Sequence, residues 1–350
     1  MTDGESARLE EIKTLLKSRR TEDRIRAVNR LARLPDPVKQ PLLLAALKDK
    51  SNYVASLAAE ELGRCADLSA MAVMVEHFLS CSEDGLKRDP GCHVRANLAF
   101  AFGRLEYLGA SEALRIGIRT VQIEPVGGVP FDTGAHLRAN CALAMAQTHV
   151  PDALCDIAFL LFDMGRNRVG ARPDAPIIRS ETRKAAAQAL ARTGDIAARI
   201  PLALVLRFPG GMDVEVLQEC MQAIVDLEDP RALEWLRPYL EHPDQDLAAY
   251  AALMIARTRA PEAPQLLHEA TQRLFGNALR AVVLALTALR GEEGRAVLRR
   301  LLTDEREAVR LAIVDALADS YDAEDRACLQ ELAQDGSLTV RNAAQHALSA

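Results

Sequence analysis

Aromatic residues are scarce, making up 4% of the 350 residues, with a single tryptophan, Trp235. The 49% of hydrophobic residues are therefore mainly Ala, Leu, Val and Ile, which suit close helix–helix packing better than a sheet sandwich. A positive excess is missing too. With 43 basic and 49 acidic residues the net charge is −6, so the molecule as a whole has no bias toward nucleic acid or anionic lipid. No apolar run approaches the roughly 18 residues that a membrane span requires. The opening Met1-Thr2-Asp3-Gly4-Glu5-Ser6 lacks the basic and apolar regions of a secretory leader. The cysteines at 65, 81, 92, 141, 155, 220 and 328 are odd in number and mostly embedded in apolar stretches. That is the usage of a reducing compartment, where a free thiol behaves as a small buried hydrophobe. A cytoplasmic location is expected. No Walker loop, Gly-x-Gly-x-x-Gly or Gly-x-Ser-x-Gly is present, which removes the common nucleotide-binding and serine-hydrolase readings.

What the chain does have is a repeat. A short phrase, an aliphatic residue often followed by Arg and then an Ala-rich run, recurs at Ile25-Arg26, Val54-Ala55, Val94-Arg95, Leu137-Arg138 and Thr182-Arg183. It continues at Val216-Leu217, Leu247-Ala248, Leu279-Arg280, Val309-Arg310 and Val340-Arg341. The last five copies are spaced by 31, 32, 30 and 31 residues. Each copy holds two apolar-periodic segments. From Glu307 to Asp319, residues Val309, Ala312, Ile313, Ala316 and Leu317 fall on one helical face; a second helix is predicted from about Ala323 to Gln334. Asp229-Pro230 places a capping side chain and a first-turn proline where another second helix begins. A lone hairpin cannot bury its apolar face, so neighbouring hairpins must stack.

The phrase resembles the HEAT-like repeat family, in the short bacterial form also found in phycobilisome lyase subunits. The likeness is closest at Glu307-Ala308-Val309-Arg310-Leu311-Ala312 and Thr339-Val340-Arg341-Asn342-Ala343-Ala344, and extends over about residues 20–350. It implies an all-α fold, an α-α superhelix of about nine and a half helical hairpins. The expected organisation is a single repeat domain over 1–350, with an N-terminal capping helix over 1–20 and repeats over 21–350. Such arrays serve many unrelated tasks, so the resemblance does not carry a function.

The period is broken in one place. The spacings from Val54 to Val94, Leu137 and Thr182 are 40, 43 and 45 residues, which adds insertions near 81–92, 124–135 and 164–180. Glycine and proline punctuate all three, so they are expected to be loops. All three fall between a second helix and the next first helix, a connection that always emerges on the same edge of such an array, where clustered insertions often mark a binding face. Directly after the first two insertions the sequence repeats itself. Gly91-Cys92-His93-Val94-Arg95-Ala96-Asn97 matches Gly134-Ala135-His136-Leu137-Arg138-Ala139-Asn140, and Arg183 takes the equivalent arginine position in the next unit.

Two readings of these residues stand side by side. In one, the arginines form an internal ladder that bonds carboxylates or carbonyls of neighbouring units. In the other, His93, Arg95, Asn97, His136, Arg138, Asn140 and Arg183 face an acidic or phosphorylated partner. The second reading predicts that replacing Arg95, Arg138 and Arg183 together abolishes binding without unfolding. The third insertion adds Arg166, Arg168, Arg172 and Arg179, giving residues 163–184 a net charge of +3 on an acidic protein.

The chemistry of catalysis is sparse. His77, Cys81, Cys92 and His93 lie within seventeen residues, but their spacing is not that of a standard zinc site. Deoxyhypusine hydroxylase, a HEAT-like enzyme, is similar in architecture and holds iron with several His-Glu pairs, whereas here only His268-Glu269 exists. No catalytic residue and no cofactor or metal is therefore assigned. DNA glycosylases of the related alkylation-repeat fold are basic and line their groove with aromatics, a pattern this chain lacks. The expected role is a non-enzymatic scaffold that binds another protein through the loop-bearing edge and concave face of units two to five, with no membrane partner and nucleic acid disfavoured. One alternative is a lyase-like or chaperone subunit that presents a small ligand to a client from a pocket near His93, His136 or a cysteine. A second is nucleic-acid binding through the basic loop 163–184.

Overall fold

The computed structural model describes residues 3–162, 180–289 and 291–349. Contacts divide the chain into two compact units, Met1–Pro201 and Leu202–Ala350. In the first, helix α1 (Asp3–Leu16) precedes the hairpins α2 (Thr21–Leu31)/α3 (Asp36–Ala46) and α4 (Asn52–Cys65)/α5 (Met71–Glu83). A single turn, α6 (Gly85–Arg88), leads to α7 (His93–Arg104)/α8 (Ser111–Ile118). Strands β1 (Ile123–Val126) and β2 (Val129–Asp132) then precede α9 (Ala135–Gln147)/α10 (Ala153–Phe159) and α11 (Ser180–Thr193). The division falls within α12 (Arg199–Arg207). The second unit continues with α13 (Val214–Asp226)/α14 (Ala232–Leu236), α15 (Gln245–Arg257)/α16 (Ala263–Thr271), α17 (Gly276–Ala288)/α18 (Glu292–Leu301), α19 (Glu307–Leu317)/α20 (Ala323–Leu332) and α21 (Leu338–Ser349). The expected all-α repeat of helical hairpins is thus the observed fold.

In each unit consecutive first helices pack on one another: α2, α4, α7, α9 and α11 in the first, α13, α15, α17, α19 and α21 in the second. Small side chains permit this. Ala58, Ala59, Ala99, Ala142 and Ala186 are fully buried, interleaved with Val54, Leu62, Leu98, Leu137 and Leu190. Aromatic packing is confined to spots such as Phe78 and Phe102, whose ring centroids are 6.1 Å apart. The closest approaches need glycine: a Cβ on Gly117 would overlap Cys141 Sγ and lie 2.9 Å from Phe78 Cζ.

The turn from first to second helix recurs with one geometry. Glu106, His149, Gly194, Glu228 and Arg259 all take positive φ just after the first helix ends. The chain then folds back: Tyr107 N donates to Phe102 O, Val150 N to Met145 O and Asp229 N to Ile224 O, at 3.0, 3.0 and 3.2 Å. This is the left-handed C-terminal cap, which satisfies carbonyls that the helix end leaves open.

Two of the three insertions are not loops. The first is helical: α5 runs on to Glu83, and α6 and a tight turn at Pro90–Cys92 carry the chain into α7. The second is a β-hairpin, with Ile123 opposite Asp132 and Val126 opposite Val129. Its two-residue turn, Gly127-Gly128, sits at φ 60° and 84°, the positive values that a tight hairpin turn with matching twist demands. Prolines 125 and 130 disguise it, since proline cannot donate to a ladder; here they face each other across the pair. The third insertion lies outside the described residues for almost all its length.

Candidate functional site

The connections leading into α4, α7 and α9 build the edge on which the duplicated phrase sits. At a plain connection the pattern is set by Arg24. Its Nε and Nη2 donate to Asp49 Oδ2 and Oδ1 at 2.7 and 3.0 Å, and its Nη1 reaches Ser18 O at 3.0 Å. Asp49 also accepts from Ser51 N at 2.8 Å. The same construction recurs at the far end of the chain. Arg310 donates to Asp335 at 2.7 and 3.1 Å, and Asp335 accepts from Ser337 N at 2.7 Å. In both copies the arginine and aspartate are 25 residues apart, so each pair staples a unit to the turn that opens the next.

At the insertions the staple is rewired. Arg95 Nε donates to Asp89 Oδ2 at 3.0 Å, only six residues back. The Asp89 carboxylate also accepts from Val94 N and Arg95 N, each at 3.0 Å, which caps the start of α7. Arg95 Nη2 donates to Gln122 Oε1 at 2.7 Å, and Gln122 Nε2 donates back to Asp89 O at 3.1 Å. Arg138 repeats the local pairing: Nη2 lies 2.8 Å from Asp132 Oδ2 and Nη1 donates to Thr120 O at 2.9 Å. Asp132 Oδ1 accepts from Gly134 N at 3.0 Å. Each of the first two insertions therefore brings its own aspartate to the arginine. At the first insertion the turn into α7 holds Cys92 at φ 58°, a strained value for a non-glycine residue, after Gly91 at φ 77°.

The first two insertions lie side by side. Gly91 N donates to Glu124 Oε2 at 2.8 Å, and Thr133 Oγ1 bonds the same oxygen. Asn52 Nδ2 donates to Pro90 O at 2.8 Å, tying the first insertion back to α4.

This geometry corrects the ligand-facing reading of the arginines. Arg95, Arg138 and Arg183 are 1%, 3% and 1% exposed, so no partner can reach their guanidinium groups. The duplicated asparagines also point inward: Asn97 Nδ2 donates to Ser56 O at 3.3 Å and Asn140 Nδ2 to Ala96 O at 2.9 Å, each bridging to the preceding first helix. Replacing the arginines would leave Asp89 and Asp132 buried and uncompensated, so the expectation of lost binding without unfolding does not survive.

The two histidines are the exposed members of the phrase. His136 Nδ1 lies 2.7 Å from Glu181 Oε1, which bridges α9 to α11. That hydrogen bond holds the imidazole pKa above its usual value against the opposing effect of burial, and holds the Glu181 pKa below its usual value. Arg166, Arg168, Arg172 and Arg179 lie outside the described residues.

Sequence reasoning missed Asp89, Gln122 and Asp132. The signal was available: an aspartate stands six residues before the arginine in both copies, so the duplicated phrase begins two residues earlier than Gly91 and Gly134. The hairpin adds an apolar tip, with Val126 54% and Val129 47% exposed.

The thiols beneath this edge are unreactive by environment. Burial pushes Cys81 up to about 11 and Cys92 up to about 12. His77 Nε2 lies 3.6 Å from Cys81 Sγ. Among the described residues, no group of three or more His, Cys, Asp or Glu side chains is placed to hold a metal ion. Among them too, no helix is long and apolar enough to cross a membrane.

Residues 272–349 match the family described as HEAT repeats. No curated protein matches the chain. Among solved structures it is similar to an engineered protein, at 19% identity and a TM-score of 0.48, over 97% of this chain and 98% of that one. It is also similar to the complex of CpcE and CpcF of phycocyanin lyase from Nostoc sp. PCC7120, at 17% identity and a TM-score of 0.36, over 89% of this chain and 93% of that one. Human deoxyhypusine hydroxylase in complex with glycerol matches at 17% identity and a TM-score of 0.32, over 82% of this chain and 98% of that one.

Proposed function

We propose that this chain is a non-enzymatic scaffold that binds another protein through the edge carrying the insertions and the adjoining surface of the second helices. One observation supports this most directly. The first two insertions are bolted to the array by buried ion pairs and to each other through Glu124, yet the second ends in an apolar tip, Val126 and Val129, that nothing in the described residues covers. A neutral insertion would have no need of this anchoring; a rigidly held apolar tip is what a protein contact uses. Exposed Ile116 on α8 and Phe159 on α10 continue the apolar character onto the neighbouring second helices. The raised thiol pKa values weigh against nucleophilic chemistry at the same edge.

The test is affinity capture with the full chain against the Val126→Ser/Val129→Ser variant. Both side chains are exposed, so the variant should fold and melt as the parent does. Loss of the captured protein supports the reading, and undiminished capture would sink it.

A further inference from the structure

We propose that the groove between the α3–α4 connection and α6 receives an acidic peptide segment of the partner protein. This deepens the scaffold reading and rests on it. The groove, about 470 Å³, lies on the insertion-bearing edge. Lys48 and Lys50 of the α3–α4 connection, His77 and Ser80 of α5, and Lys87 and Arg88 of α6 line it.

What matters is which of these charges are already committed. Asp49 belongs to the groove lining, but Arg24 chelates its carboxylate and Ser51 N caps it, so it does not offset the lysines. Among the described residues, Lys48 and Lys50 have no carboxylate partner. Lys87 lies 3.1 Å from Asp84, with its side chain 84% exposed, a pairing that solvent screens heavily. Arg88 is held by one end: Nη1 donates to Ser80 O at 2.7 Å and to Ser80 Oγ at 2.9 Å, and lies 2.6 Å from Glu83 Oε2. Its Nη2 and Nε bond nothing among the described residues and remain available. Glu76 is the one lining carboxylate with no cationic partner among them. The unpaired charges of this trough are Lys48 and Lys50 against Glu76, a net of +1, to which Lys87 and the open end of Arg88 add, on a chain whose net charge is −6.

The form of the trough selects the ligand. The cations come from two elements, the α3–α4 connection and α6, and Val73 is the half-buried apolar side chain of the lining, above Leu47 and Ala55, which are buried. A single phosphate would be served best by a tight nest of donors or a free arginine fork. Carboxylates spaced along an extended peptide match cations contributed by two separate elements. No Phe, Tyr or Trp lines the groove, and the single His77 ring does not make the succession of stacking platforms that a single-stranded nucleic-acid site uses.

The experiment follows binding of a fluorescein-labelled hexaglutamate peptide to the full chain by anisotropy, with hexaglutamine as control. Hexaglutamate should bind and hexaglutamine should not. Lys48→Ala/Lys50→Ala should weaken binding about tenfold without changing the melting temperature, since both side chains are exposed. Arg299→Ala/Arg300→Ala, a basic pair in the second unit, should leave binding unchanged. Equal affinity in the lysine variant, or no hexaglutamate binding at all, overturns the proposal. Displacement by inorganic phosphate at an ionic strength where acetate does nothing, or by oligothymidylate at lower concentration than hexaglutamate, overturns the peptide assignment. Protein capture that survives both lysine substitutions removes the acidic-segment assignment and leaves the scaffold reading standing. Hexaglutamate binding without any captured protein counts against the scaffold reading alone.

Discussion

Arg95 and Asp89 form an ion pair in which Nε and Oδ2 are 3.0 Å apart and neither side chain is more than 2% exposed. The aspartate simultaneously caps α7 through Val94 N and Arg95 N. Removing one member of a buried pair strands the other without water, which costs about 3–5 kcal/mol. Arg95→Ala is therefore expected to lower unfolding free energy by about that amount in urea titration, more than Arg310→Ala, whose side chain is 15% exposed. A loss below about 1 kcal/mol would show that the pair contributes little.

The His136–Glu181 bridge has a definite pH signature. The imidazole pKa is raised above 6.5, so its contribution is complete below that value and is lost as pH rises through the folded-state value. The carboxyl pKa is lowered below 4.5, so its contribution is complete above that value and is lost as pH falls through the folded-state value. Both are present between 4.5 and 6.5. The side chains are 56% and 37% exposed, which discounts the pair to a few tenths of a kcal/mol, at most about 1. The stability difference between parent and His136→Gln should peak in that window. A pH-independent difference would remove the pair as its source.

Gly117 is predicted to reject even a methyl group. Its added Cβ would overlap Cys141 Sγ and crowd Phe78 Cζ, so Gly117→Ala should cost about 1–3 kcal/mol by overpacking. Cys141→Ala in the same chain should restore part of the loss. Strict additivity of the two substitutions in a double-mutant cycle would argue against this contact.

The left-handed turn residues make a backbone prediction. Gly194 adopts φ 64° with open space around its missing Cβ, so Gly194→Ala meets only backbone strain, about 1 kcal/mol. At Glu106, φ 49°, a glycine should relieve that strain at some entropic cost. Thermal melts should show Gly194→Ala destabilising and Glu106→Gly no worse than neutral; the opposite order would count against the turn geometry.

Much of the fold was legible because the repeat writes itself into apolar spacing. Periodicity located the hairpins from Val216 onward and placed α19 within two residues of its observed end. It was less sure in register. The phrase at Ile25-Arg26 puts Arg26 in the repeated place, whereas the buried arginine is Arg24, identifiable only by the aspartate 25 residues on that it shares with Arg310. For the candidate site, the sequence shows which segments carry the arginines and not which way the side chains face. The same Arg can face a ligand or a neighbouring carboxylate, and Asp89 and Asp132, which decide the matter, stand in segments whose glycine and proline content signals a loop. The hairpin is hidden in the sequence because Gly127-Gly128 between Pro125 and Pro130 resembles a breaker as much as a turn.

The two ways of pairing the arginine also differ in the order in which the chain can assemble. Arg24 and Arg310 must wait for an aspartate 25 residues ahead, after a whole second helix has been placed. Arg95 and Arg138 find theirs six residues behind, within a segment that closes on itself. Low sequence separation means little loop entropy to lose before the contact forms. In an array that can nucleate anywhere and propagate to its neighbours, the units at α7 and α9 are where folding is favoured to begin. The first two insertions would then be the seed of the array as well as the edge proposed for binding.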